Sequence, residues 1–460
     1  MVRLFNHWFH WHRLAKLLFD LSFVIVGMVM VFIWIGSGLP VNREQLFLFA
    51  LIFGMTMLAI NVGLGLYQRE QNLSTKESIA RAVLSLYLAV PVAYGIFVFL
   101  PFTTLNRELI QLSAMSAAFG ILVNRVASTH SASPGLLTRR IMVFGTGARA
   151  IEVKRAHEKS NPSSAIVGFF PSPNETTSLV PFDQILSRNT SLCATAQLYK
   201  IEEIVVALTE RRGGSMPLRE LLDCRLQGIR VLDLASYFER TLGQIRLDSL
   251  YAGWLVFGDG FRQGYFRTAI KRLSDIVFSS ILLILAIPIM LLTALVIMIE
   301  SGGPVLYRQE RVGLNGRLFK VTKFRSMRCD AEKNGAAIWA KANDERVTRV
   351  GRIIRKLRID ELPQLFTVLK GEMSLIGPRP ERPFFVDQLT KEIPFYAVRH
   401  SVKPGLTGWA QVRYHYGATI EDSAEKLQYD LYYVKNNSLF LDIVILFETI
   451  GVVLTGKGAH

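Results

Sequence analysis

The chain has 460 residues, half of them hydrophobic, with 53 Lys and Arg against 37 Asp and Glu for a formal net charge of +16. That length exceeds one compact domain of ordinary size, and a mean hydropathy of +0.29 is more apolar than a soluble protein of this length normally is, so membrane segments are expected. The positive excess suits an anionic membrane face or phosphorylated substrates; nucleic acid is not expected, because the basic residues flank apolar stretches and no nucleic-acid-binding motif is present.

Four uncharged apolar stretches come first, Leu21–Asn42, Leu46–Gln68, Ala82–Asn106 and Leu109–Asn124. The first three exceed the roughly 20 residues needed to cross a bilayer core as helices. Arg3, Arg13 and Lys16 precede the first stretch, Arg69, Lys76 and Arg81 fill the second loop, and Arg139 and Arg140 follow the fourth, whereas the first and third loops carry only Arg43 and Arg107. The charge rule therefore predicts a four-helix transmembrane region over 1–130 with its N-terminus and exit in the cytosol. Trp8 and Trp11 fit an interfacial belt. The stretch is too long for a cleavable signal, and no small-residue cleavage site ends it.

Residues 131–265 change character. Ser131-Ala-Ser-Pro-Gly135 reads as a linker. Arg139–Gly145, Ala165–Phe170, Ile204–Leu208 and Ile229–Leu232 are short apolar strands between helix-like segments, which predicts a small parallel α/β domain. Gly145-Thr-Gly147-Ala-Arg-Ala150 follows the first strand as a GxGxxA turn, which would let backbone approach a pyrophosphate. The second strand ends without the acid that would hold a ribose hydroxyl, so a structural or regulatory Rossmann-like domain is favoured over a working dinucleotide site. Cys193, Cys224 and Cys329 have no metal-ligand spacing and read as reduced thiols packed as small hydrophobes.

From 266 to 460 a third domain is expected. Ile276–Ile299 is uncharged, bounded by Asp275 and Glu300, with Pro288 inside it. Its length permits a spanning helix. Basic residues at both ends (Lys271 and Arg272, then Arg308 and Arg311) favour a re-entrant helix broken at Pro288 that returns to the cytosolic face. Beyond it, residues 301–360 hold 15 Lys and Arg against 6 Asp and Glu.

Within this basic region Asp360-Glu361 stands behind Arg355 and Arg358. Adjacent acids point about 100° apart on a helix, so they suit two tasks, one attacking or binding phosphorus and one holding a cation or orienting its neighbour. An isolated Asp-Glu pair is ordinarily surface charge. Here it is accompanied by Lys323 and Arg325 on an expected strand, by Gly377-Pro-Arg379-Pro380, a rigid turn presenting an arginine suited to bidentate phosphate contact, and by Lys403-Pro-Gly-Leu-Thr-Gly-Trp409-Ala-Gln-Val412, whose Trp409 could stack on a base or sit at a membrane interface.

Together with Lys323-Phe-Arg-Ser-Met327, Tyr429-Asp430-Leu-Tyr-Tyr-Val434 and Leu439-Phe-Leu-Asp442, these segments resemble the bacterial sugar transferases, the polyisoprenyl-phosphate hexose-1-phosphate transferase family, from about Tyr265 to Leu454. The resemblance implies an α-helical transmembrane bundle, a cytosolic Rossmann-like domain and a membrane-embedded mixed α/β catalytic domain with a re-entrant helix at the cytosolic face of the bacterial inner membrane. It implies transfer of a hexose-1-phosphate, glucose-1-phosphate by the habit of the larger members, from a UDP-sugar to undecaprenyl phosphate, with release of UMP. Asp360 matches the nucleophile and Glu361 its partner acid, the pair supporting Mg²⁺. Arg355 and Arg379 match phosphate-binding positions, Pro288 the helix-breaking proline, and Asp430 an acid of the C-terminal motif. A homo-oligomer is compatible with the sequence. Two rivals carry different requirements: a membrane sensor would depend on Gly145 and Gly147 rather than Asp360, and a transferase passing sugar alone would release UDP.

Overall fold

In the computed structural model the described residues are 139–160, 164–208 except 174, 176–177 and 188–189, 216–250, 260–261, 264–328, 346–414 and 419–455, with short segments between 2 and 91. The four apolar stretches lie largely outside these residues, as do the 131–135 linker, Trp11 and Cys329. What is described of the stretches, including 18–23 and 51–58, is helical. Trp8 lies in a small antiparallel hairpin pairing Val2–Leu4 with His7–Phe9. Ser85 Oγ donates to Asn61 Oδ1 at 2.5 Å, a buried polar bond between the second and third stretches. The chain divides into two compact units, one of 1–68, 73–127 and 256–460 and one of 69–72 and 128–255.

The smaller unit is a parallel sheet. Strands β1 (Arg139–Phe144), β2 (Ser164–Phe170), β3 (Glu203–Val206) and β4 (Arg230–Asp233) lie in the order β2-β1-β3-β4. Successive residues of a strand face opposite sides, and each side is apolar: Met142, Phe144, Ile204 and Val206 enter one core with Leu192, Leu221 and Cys224, while Ile141, Val143, Val205 and Ala207 enter another with Val153, Tyr237 and Phe238. Helices on both faces are what a sheet with two apolar faces requires. Cys224 packs as a core hydrophobe, and burial pushes its thiol up to about 12. Arg240 and Glu203 form a buried two-pronged pair inside this unit. Gly145 adopts a φ of +121°, and a Cβ there would crowd the Ala207 carbonyl.

In the larger unit one helix dominates, Tyr265–Ser301. Among the described residues it alone is long and apolar enough to cross a membrane, and most of its Leu and Ile side chains are exposed. It is longer than the apolar run and remains helical through Pro288. The expected break is therefore not a gap in the helix. Pro288 withholds one donor from the Ile284 carbonyl while the surrounding turns keep theirs.

Both ends of this helix are fastened to one body. Near its start Arg272 donates to the Val368 and Leu369 carbonyls at 2.7 and 2.6 Å, Asp275 accepts from Ser374 Oγ at 2.9 Å and Leu375 N at 3.1 Å, and Lys271 pairs with Asp442 at 2.7 Å. At its end Arg325 donates to the Ser301 carbonyl at 3.0 Å and the Gly302 carbonyl at 2.7 Å, and Val350 N donates to Glu300 at 3.1 Å. These are the orphan carbonyls of a helix terminus finding a guanidinium.

The rest of the unit frames a small polar centre. An antiparallel pair, Leu306–Val312 with Leu318–Phe324, turns through left-handed Asn315 and Gly316. Helix Arg349–Lys356 is capped by Thr348, which accepts from Gly351 N at 2.9 Å. Helix Gln364–Lys370 leads into a short parallel pair, Ser374–Ile376 with Gly405–Thr407, backed by helices Ile420–Asn436 and Leu439–Thr455. Gly377 N donates to the Thr407 carbonyl and Gly405 N to the Pro378 carbonyl, both at 2.9 Å, so the two glycine segments lie backbone against backbone. A Cβ at Gly377 would overlap the Lys403 carbonyl oxygen and stand 2.9 Å from Gly405 N. Gly377→Ala is therefore expected to cost about 1–3 kcal/mol, as overpacking against rigid backbone does, read as a lowered thermal midpoint of the detergent-solubilised protein.

Candidate active site

Helix Arg349–Lys356 ends where Arg358 takes a left-handed conformation, φ 59° and ψ 16°. The chain then makes a single 3₁₀ turn, Ile359–Glu361, before helix Gln364–Lys370 begins. This turn carries both acids. Asp360 is 7% exposed and Glu361 8%, so the pair is a buried charge centre and not surface decoration.

The two carboxylates are treated differently. Glu361 Oε1 accepts from Lys323 Nζ and from Arg379 Nη2, each at 2.8 Å. Burial alone would raise the Glu361 carboxyl, but Arg379 and Lys323 outweigh it and hold it well below the usual carboxylate range. Among the described residues no side chain donates a hydrogen bond to Asp360. Burial raises its carboxyl, Lys323 opposes, the Glu361 charge beside it raises it again, and the net shift is upward despite Arg355 and Arg379. Lys323 is itself lowered by burial, against the pull of Glu361. One acid is thus locked in ion pairs, and its neighbour carries no such bond from a described side chain and has its carboxyl raised.

Lys323 reaches Glu361 from the end of strand Leu318–Phe324, and Arg379 reaches the same oxygen from the Gly377–Pro380 turn. Arg355 Nε donates to Ser326 Oγ at 2.8 Å and acts on Asp360 through its charge; Arg358 acts likewise on Glu361. Arg325 departs from the expected phosphate cluster. The strand ends at Phe324, so the two-residue alternation that would put positions 323 and 325 on one face stops there, and the Arg325 guanidinium goes to the Ser301 and Gly302 carbonyls.

Trp409 is likewise not a stacking platform for a base. It is 2% exposed, its ring stacks on Tyr432 at 5.9 Å between centroids, and the Arg413 guanidinium lies 4.3 Å from its centroid. Its large apolar ring is spent on the packing of helices Trp409–Arg413 and Ile420–Asn436. Asp430 is buried and pairs with Arg399 at 2.8 Å. Arg399 escaped the sequence reading: its partners lie tens of residues away, and no local spacing marks it among ordinary basic residues. Gly145 and Gly147 belong to the other unit. There the Thr146 N–H donates to Glu175 at 2.6 Å and the Gly147 N–H at 3.3 Å, so the glycine turn holds a carboxylate of the same chain.

Residues 266–456 match the family described as bacterial sugar transferase. The chain is 48% identical over 242 residues to a UDP-N-acetylgalactosamine-undecaprenyl-phosphate N-acetylgalactosaminephosphotransferase of Aeromonas hydrophila, covering 53% of this chain and 56% of that protein. It is 44% identical over 192 residues to a UDP-glucose:undecaprenyl-phosphate glucose-1-phosphate transferase of Klebsiella pneumoniae, covering 41% of each. A protein of the same name from Caulobacter vibrioides is 44% identical over 192 residues, 41% of this chain and 72% of that one. The matched stretch thus spans about half the length of the first two relatives.

Because Lys323 pulls the Asp360 carboxyl down, Lys323→Met is expected to move its titration further upward. Carboxyl ¹³C NMR of aspartate-labelled protein reads this directly, and a downward move would contradict the electrostatic assignment.

Proposed function

The chain belongs to the bacterial sugar transferase family, and from that membership we propose that it transfers a hexose-1-phosphate from a UDP-sugar to undecaprenyl phosphate through a covalent phosphosugar intermediate on Asp360, initiating assembly of a surface polysaccharide. The observation that carries this reading is the asymmetry of the acidic pair: Glu361 accepts hydrogen bonds from Lys323 and Arg379, and among the described residues no side chain donates one to Asp360.

In the first step an Asp360 oxygen attacks the sugar-side phosphorus, the bond from that phosphorus to the bridging oxygen breaks, and UMP leaves with that oxygen. In the second, a phosphate oxygen of undecaprenyl phosphate attacks the same phosphorus and the carboxylate departs. Protons balance without a further acid or base. A carboxylate nucleophile splits one difficult transfer into two. The remaining need is positioning and neutralisation of phosphate charge, which Arg379, Lys323, Arg355 and Arg358 supply. A raised Asp360 makes a better nucleophile once ionised.

Mg²⁺ fits the donors present. Both ion pairs of Glu361 run through Oε1, and Asp360 has hard oxygens to offer. Protein sites commonly hold this ion through one or two carboxylates, with phosphate and water completing the shell. Asp360 and Glu361 would hold it, and when bound it supplies neutralisation of diphosphate charge.

The fastenings of helix Tyr265–Ser301 support the proposed membrane placement. Segment Gln364–Lys370, bonded near its start, also touches strand Leu318–Phe324, which leads into Arg325 at its end. A helix crossing a bilayer core would separate its ends by about 30 Å and set their partners on opposite faces. Fastening to mutually touching elements supports a helix that enters and leaves from the cytosolic side, with the acidic turn at the water–lipid boundary. The expected sugar is glucose, and the Aeromonas relative makes N-acetylgalactosamine the comparison to run beside it.

Full-length protein in membranes, given Mg²⁺, undecaprenyl phosphate and labelled UDP-glucose or UDP-N-acetylgalactosamine, is expected to yield a butanol-extractable product and UMP. Asp360→Asn should lower transfer more than about a thousandfold, and EDTA should suppress it reversibly. Since the carboxylate must be ionised and its pKa lies above the ordinary aspartate value, activity should fall on acidification earlier than an ordinary aspartate would impose. Release of UDP in place of UMP, or full activity in Asp360→Asn, would overturn the mechanism.

A further inference from the structure

Arg379 presents its guanidinium from a turn, and a turn needs something to hold it. Its backbone is held at nearly every carbonyl. Tyr433 Oη donates to the Ile376 carbonyl at 3.1 Å, Gly405 N to Pro378 at 2.9 Å, and Arg311 to Pro380 at 3.1 Å. The carbonyl of Arg379 itself accepts from Arg399 Nη2 at 2.8 Å. Arg399 is 5% exposed; its Nη2 also pairs with Asp430 at 2.8 Å, and its Nη1 donates to Tyr396 Oη at 2.7 Å. Asp430 is 2% exposed. A continuous chain of charge-assisted bonds therefore runs from the Asp430 carboxylate through Arg399 to the backbone of Arg379, and through the Arg379 side chain to Glu361.

We propose that Asp430 and Arg399 are positioning residues for the transfer: they fix the Arg379 backbone so that its guanidinium bridges Glu361 and the sugar-side phosphate of the nucleotide sugar. This rests on the transferase reading for the identity of the phosphate, and on the bond chain alone for the positioning. A buried ion pair is a poor device for stability, since apolar residues of the same volume often do as well. What an apolar pair would not do is donate to the carbonyl of the residue that grips Glu361. Burial works against the Arg399 charge, and the neighbouring Tyr396 and Asp430 more than offset it, so the guanidinium stays charged. Asp430 is its counter-ion; the two Nη atoms are bonded, and Nε is buried without a partner among the described residues. Placement errors near 1 Å in such a group lower rates by about a hundredfold.

A double-mutant cycle on the full-length protein in membranes tests this. Arg399→Lys keeps the charge and loses the planar fork; Asp430→Asn keeps the shape and loses the charge. Each is expected to lower kcat about tenfold or more while changing KM for the UDP-sugar by less. In an Arg379→Ala background the same changes should cost less than about twofold, because the group they position is gone. Equal losses with and without Arg379 would overturn the proposal. If Asp430→Asn fails to accumulate, Arg399→Lys carries the cycle. Phenylglyoxal modification of Arg379, mapped by mass spectrometry, gives a readout free of turnover: faster labelling in Arg399→Lys supports the positioning role, and an unchanged rate overturns it. An inactive wild type would defeat the transferase reading alone, and the labelling result would still judge the relay.

Discussion

One carboxylate oxygen, Glu361 Oε1, receives an ammonium from one side of the site and a guanidinium from another. Strand Leu318–Phe324, the acidic turn and the Gly377–Pro380 loop meet at this shared acceptor. It also decides which acid is available. A buried acid pair with no cations nearby would share one proton, because two like charges side by side oppose joint ionisation. Here the cations bond to one member, so the pair divides into an anchored anion and a neighbour that no described side chain bonds. Removing either cation would leave buried charge uncompensated, which is the costly way to break such a centre.

Much of this was legible in the residue order, for reasons that can be named. The strands of the small unit were visible because alternate residues feed two cores, which makes them short continuous apolar runs. Asp360-Glu361 and Pro-Arg379-Pro stood out because several phosphate-friendly segments, each ordinary alone, fell close together in the sequence. Lys323 was marked by its strand position. Arg325 was not separable from it, since the strand end at Phe324 depends on a helix terminus that approaches from elsewhere in the chain. Trp409 looked functional for the same reason that it is buried: a large amphipathic ring beside glycines. Arg399 could not have been found, because a buried arginine and a surface arginine spell the same way until distant partners arrive.

The long helix Tyr265–Ser301 reverses the usual relation between membrane segment and domain. Its ends are bonded to the catalytic body through backbone carbonyls and buried acids, which do not slide as apolar contacts do. Any bend this helix takes is therefore set jointly by Pro288 and by the separation of its two fastenings.

The carboxylate of Glu175 gives the smaller unit a particular economy. A nucleotide phosphate approaching the glycine turn would meet a tethered competitor of the same sign, present at an effective concentration that soluble metabolites seldom reach. The turn thus keeps the shape of a phosphate cradle while its Thr146 and Gly147 amides are satisfied by a carboxylate of the same chain, without any cargo.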